Sequence, residues 1–170
     1  MHSIIQNLDL SARGVWFPIS VGLLLLFFAL FMPKSGINWL EFYITFGVVG
    51  YVAWISDTVV GGMLDLVDLG DPKITGLGEF TSYSFIPSSL SVIYLNYAKK
   101  TNKWTLVLLF TLVSTLVEWI MIQIGYLKVK NWGFFIFSII AYFGVFGIIL
   151  PLHIKIIKRT YCITNKIHYL

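Results

Sequence analysis

Five long apolar stretches dominate the chain: Val15 to Pro33, Asn38 to Asp57, Phe80 to Ala98, Trp104 to Leu127 and Asn131 to His153. Each approaches the ~20 residues that a helix needs to cross the hydrocarbon of a bilayer. The third is the least apolar, with several serines and Pro87 inside it. Short breaks separate the stretches, except for one long loop over 58–79. The pattern predicts an all-α fold: a polytopic membrane helical bundle of five transmembrane helices, one domain over 1–170, with a basic tail over 154–170. Trp16, Trp39, Trp54, Trp104 and Trp132 lie near span ends, where indole rings favour the headgroup layer. Within the loop, VVGGMLDLVDL is too apolar for a free segment. It reads as a short interfacial helix or as an extension of the second span. The first stretch reads as an uncleaved helix, because no A-x-A-like site follows it before MPKSG. No internal repeat is visible, and five spans do not divide into equal halves, which disfavours a duplicated transporter.

Composition agrees with this pattern. Hydrophobic residues make up 58% of the 170 residues and charged ones 12%, about half the ~25% usual in a soluble domain. That excludes both a soluble domain and a disordered chain. A single cysteine, Cys162, excludes a disulfide framework and is expected as a reduced thiol in the tail. The net charge is +4, but the basic residues flank apolar runs. The expected partner is therefore the lipid bilayer and not nucleic acid. Arg13, Lys73, Lys128 and Lys130 fall on one side of the five-span scheme. Lys34, Lys99, Lys100, Lys103, Lys155, Lys158, Arg159 and Lys166 fall on the other. The bias places the N-terminus outside and the C-terminus inside, in a multi-pass cell-membrane protein. HIKIIKR, which follows the last span, is expected to meet anionic headgroups.

Glu118, well inside the fourth stretch, is the most informative residue. A carboxyl at that depth costs ~2.5–3.5 kcal/mol to insert, so it must face the bundle interior, be protonated or find a donor. It reads equally as a proton or cation site and as interhelical hydrogen-bonding glue. Ser84, Ser88 and Ser91 are spaced to share one helical face, and so are Thr111, Ser114 or Thr115, and Glu118. The short break over 99–103 predicts that these two helices are antiparallel neighbours. Equal depth then pairs Ser84 with Glu118, Ser88 with Ser114, and Ser91 with Thr111, as a dry polar seam or a narrow polar path. Pro87 frees the Tyr83 carbonyl, to which a protonated Glu118 is expected to donate. Trp119, next to Glu118, reads as a packed or lipid-facing ring.

Asp57, Asp65, Asp68 and Asp71 are the candidate metal ligands, against the simpler reading of a solvated acidic rim. Their spacing is not that of an EF-hand, and His2, His153 and His168 form no metal motif. GLGE at Gly76 to Glu79 lacks the spacing of a phosphate loop, and no serine sits in GxSxG. No catalytic residue and no cofactor are expected. Ala141, Gly144 and Gly147 in the last span, with Gly47 and Gly50 in the second, offer small-residue surfaces for packing or for a homodimer.

Three motifs carry a resemblance. VAWISD ends at Asp57 and is followed by LDL at Leu64 to Leu66; VEW spans Val117 to Trp119 with Gly125 and Tyr126 after it; NWGFF begins at Asn131 and leads to Tyr142. In these the chain resembles a poorly characterised family of small integral membrane proteins from Bacillus and Clostridium relatives. Ten lysines against two arginines fit an AT-rich bacterial genome. The resemblance implies a multi-span fold without an established activity, and it implies that Asp57, Glu118 and Trp119 belong to the family's pattern. The leading expectation is a non-catalytic accessory, assembly or sensing component with a dedicated protein partner or a second copy. The alternatives are a transporter or channel subunit that uses Glu118 as its proton or cation site, and an intramembrane lipid-modifying enzyme. A water-filled cavity at Glu118 favours transport, a lateral opening lined by Glu118 and an aspartate favours the enzyme, and a dry closed bundle favours the accessory role.

Overall fold

The computed structural model describes residues 8–71, 74–99, 101–130 and 132–167, with backbone alone for 132–134 and 161–167. Expectations on His2, Lys73, Lys100, Asn131 and His168 fall outside the described residues, as do those on the side chains of Trp132, Cys162 and Lys166. The chain is mostly helical. Helix α1 is Trp16–Phe31, and α2 is Trp39–Asp57, continued by a π turn over Thr58–Met63. Strand β1 is Val67–Leu69. Helix α3 runs through Leu77–Phe80, a π turn over Thr81–Phe85, and Ile86–Tyr97. Helix α4 is Lys103–Gln123 and β2 is Leu127–Val129. Helix α5 runs through Trp132–Gly144, a π turn over Val145–Ile149, and Leu150–Ile167. Among the described residues, three helical segments are long and apolar enough to cross a membrane: Trp39–Met63, Lys103–Gln123 and Phe135–Thr160. Trp16–Phe31 is apolar but shorter.

The loop over 58–79 behaves differently at its two ends. Its first residues extend α2 as far as Met63. Val67–Leu69 then pairs antiparallel with Leu127–Val129, with Asp68 opposite Lys128, so an otherwise helical fold carries one small two-stranded sheet. The last helix does not stop at His153 but runs on to Ile167.

Local chemistry explains the helix ends. Pro33 follows the end of α1, where the preceding residue turns extended. The Lys34 ammonium donates to the carbonyls of Ala29, Leu30 and Met32 and sits 4.3 Å from the Trp39 ring centroid. Asn38 opens α2 with a capping box: its Oδ1 accepts from Glu41 N at 2.8 Å, while Glu41 Oε2 accepts from Asn38 N at 2.9 Å. The π turns of α3 and α5 each end two residues before a proline. Ile86 N donates back to Thr81 O ahead of Pro87, and Leu150 N donates back to Val145 O ahead of Pro151. A proline has no N–H and its ring crowds the carbonyl four residues earlier. Widening the turn by one residue lets the helix pass that point unbroken.

Helix α3 is the central element. Ten of the twelve residues of Ile86–Tyr97 are buried. It packs on α1 and α2, whereas α4 packs on α5. Helices α3 and α4, expected as close antiparallel neighbours from their short connection, meet mainly where Tyr94 sets its ring edge-on to Phe110 and Phe146, at 5.5 and 5.2 Å. A second apolar cluster, Val15, Val67, Met121, Tyr126 and Leu127, gathers at the opposite end. The expected matching of small residues is not used within the chain. Gly50 lies against Ser88, but Gly47 and Gly144 have open space beside them. Trp16, Trp39, Leu108, Leu112 and Ile140 stand exposed on the outer faces, an arrangement suited to a lipid surrounding.

The buried Asn96 side chain ties α3 to the turn between α1 and α2. Its Oδ1 accepts from Ser35 N and Gly36 N at 3.0 and 3.1 Å, and its Nδ2 donates to Pro33 O at 3.0 Å. Gly36 is required there, since a Cβ would lie 2.2 Å from Asn96 O. Asn96→Leu leaves these partners unmet and is expected to destabilise the protein by about 1–3 kcal/mol, read as a lower unfolding midpoint in detergent.

Candidate functional site

A cavity of about 470 Å³ separates α2 and α3 from α4 and α5, within the ~300–1,000 Å³ typical of small-molecule sites. Its walls are mostly aliphatic and aromatic. From Phe137 to His153 it follows α5 for about 24 Å, at ~1.5 Å per residue. All three π turns contribute to its wall, through Val60, through Ser82 and Tyr83, and through Val145, Phe146 and Ile149.

Glu118 lines the cavity and is only 5% exposed. Its Oε1 accepts from Ser138 Oγ at 2.9 Å and its Oε2 accepts from Tyr142 OH at 2.7 Å. Ser138 and Tyr142 are four residues apart, one turn on the same face of α5. The carboxyl therefore faces the last helix and not Ser84 of the third, which corrects the expected pairing. Ser84 instead accepts from Trp54 Nε1 at 3.0 Å, and Ser88 donates to Phe46 O at 2.9 Å. Both serines bind α2. The π turn at Thr81–Phe85 breaks the 3.6-residue period on which the depth alignment rested. Ser91 and Ser114 do line the cavity. Thr111 is buried with its hydroxyl unpaired, and Trp119 is 47% exposed on the outer surface. The signal for the true partners was present: a serine and a tyrosine four apart inside the last apolar stretch.

The four aspartates separate. Asp57 lines the cavity and accepts from Tyr83 OH at 2.5 Å. Asp65 and Asp68 both pair with Lys130, Asp68 at 3.3 Å. Asp71 N donates to Asp9 Oδ2 at 3.1 Å. Among the described residues no group of three His, Cys, Asp or Glu side chains is placed to hold a metal ion. Lys130 takes two of these carboxylates across the strand pair, while Asp57 is engaged with Tyr83.

At the end where the strands pair, the N-terminal segment docks onto the loop. Leu77 N donates to Leu8 O at 2.9 Å, and Gly78 admits the Tyr126 hydroxyl where a Cβ would lie 2.4 Å away. Glu79, just outside the third span, is pushed up to about 7 by burial and then by the charges of Asp57 and Asp9. At the other end of the cavity, His153 Nε2 lies 3.2 Å from Thr45 Oγ1.

Comparison with protein-family models, with curated proteins and with solved structures finds no match.

Two outcomes follow for stability. Glu118→Gln is expected to fold normally, since its amide oxygen still accepts, whereas Glu118→Leu strands the Ser138 and Tyr142 hydroxyls at a cost of about 1–3 kcal/mol. Unfolding midpoints of the two variants in detergent check this. Glu79 binds its proton more tightly folded than unfolded, so its contribution is present at pH 4–5 and is lost as pH rises through about 7. The melting temperature is expected to fall between pH 5 and pH 8, and Glu79→Gln to flatten that fall.

Proposed function

We propose that this chain is a small multi-pass protein of the bacterial cell membrane, a non-catalytic accessory or sensing component that takes an apolar or amphiphilic molecule from the bilayer into its central cavity. The observation that carries the reading is the cavity itself, long, mostly apolar and lined by a buried carboxyl with two hydroxyl donors. The cavity departs from the dry closed bundle expected for the accessory role, and the sensing form of that role is the one a ligand pocket supports. Acyl-chain-like ligands suit a slot of this length with aliphatic walls.

In the same proposal all five helical rods cross the membrane, with the N-terminus outside and the C-terminus inside. The lysine and arginine bias supports this orientation. So does the gathering of the N-terminal segment, β1 and β2 at one end of the bundle. The basic end of α5, with Lys155, Lys158 and Arg159, then meets the cytoplasmic headgroups. Membership of the Bacillus and Clostridium family of small membrane proteins, and a protein partner or second copy that receives the signal, belong to this proposal too. A lipid-modifying activity is the second reading, favoured by one observation: Asp57 and Glu118 line the same cavity.

Filling the cavity tests the binding role. Ala141 lines it, and Ala141→Phe is expected to fold and to lose co-purifying lipid, measured by mass spectrometry of extracts from the purified protein. Retention of the same molecules at the same stoichiometry would sink the reading.

A further inference from the structure

The charge balance of the cavity wall narrows what it accepts. Among the described residues, two carboxyl groups, Asp57 and Glu118, line it, and no lysine or arginine does. His153, the one basic side chain among the described residues of the wall, is engaged with Thr45. The ion pairs of the described residues lie at the bundle ends, Lys130 with Asp65 and Asp68, and Lys158 with Glu41. Neither cavity carboxyl has a cationic partner among the described residues. A carboxylate withdrawn from water and left without a counter-charge is costly, and a ligand that supplies the charge relieves that cost.

The hydroxyls give a second, independent indication. Ser91 on α3 and Ser114 on α4 are 2% and 7% exposed and line the cavity, and among the described residues their hydroxyls make no hydrogen bond. Ser114 stands one helical turn from Glu118 on the same face of α4. Both oxygens of Glu118 already accept one hydrogen bond and have lone pairs to spare. The free capacity of the site is thus acceptor-rich: carboxylate lone pairs and hydroxyl oxygens. An anionic head finds nothing here to offset its charge.

Resting on the reading of the cavity as a binding site, we infer that its ligand is an amphiphile with an alkyl tail and a primary ammonium head, the head held by Glu118 and Ser114 and the tail along the aliphatic wall. The ammonium donates to the Glu118 carboxylate and to the serine oxygens, and the tail takes the place of lipid.

Displacement of Nile red from the full chain in phosphatidylcholine nanodiscs, by three probes of equal tail length, tests this. Dodecylammonium is expected to displace the dye about tenfold or more tighter than dodecanol, and dodecanesulfonate to bind more weakly than either. Glu118→Gln is expected to bring dodecylammonium to within about twofold of dodecanol. The order of the three heads on the unmodified chain decides the matter even where the variant does not fold. Dodecanol binding as tightly as dodecylammonium, or a cation preference that survives Glu118→Gln, overturns the ligand class and leaves the cavity reading standing. Nile red that neither binds nor is displaced overturns both.

Discussion

Three side chains of α3 are committed to the first half of the chain, and the rest of the architecture follows from that commitment. Asn96 holds the turn after α1. Ser88 donates to the Phe46 carbonyl and Ser84 receives the Trp54 indole. In apolar surroundings a buried polar group without a partner costs several kcal/mol, so these bonds fix which face of α3 meets α2. With that face occupied, α4 finds its own polar partner on α5, through Glu118 with Ser138 and Tyr142. The two halves then touch at an aromatic cluster around Tyr94 and at an apolar cluster around Tyr126. The space between the clusters is the cavity.

The helices that bound this space are interrupted in a consistent way. Pro87 and Pro151 each lie two residues after the end of a π turn, and both turns give side chains to the cavity wall. A π turn rotates the following helix relative to the preceding one, so the face that looks inward changes along its length. That is how Tyr83, above Pro87, and Ser91, below it, both line the cavity although Ser84 and Ser88 point to α2. Close packing of α3 on α2 and an open wall toward α4 coexist on one helix for this reason.

The acidic groups are arranged by the same economy of partners. Lys130 crosses the strand pair to satisfy Asp65 and Asp68, and Tyr83 donates to Asp57. Glu79 is half-buried near Asp57 and Asp9, and burial first, then those two charges, raises its proton affinity. Glu79 belongs to the end of the bundle where the N-terminal segment docks, while the opposite end is held by Lys34 and by the Asn38–Glu41 cap.

The apolar stretches and the tryptophans near their ends were legible in the sequence, because length and hydropathy are local properties. Glu118 was legible too, since a carboxyl inside such a stretch stands out wherever it points. Its partners were not. The constant-depth alignment assumed two regular helices joined by a short turn, and the π turn ahead of Pro87 spoiled the period on one of them. Nor did the sequence show that Asp57 would reach the same cavity as Glu118, or that the loop after α2 would end in a strand paired with Leu127–Val129. The sequence by itself determined that this chain forms apolar helices and which of them carry polar groups that need a partner. The tertiary structure decided which helix supplies each partner and where a space is left between them, because hydrogen bonds between distant segments depend on helix rotation, and rotation is set by packing across the whole bundle.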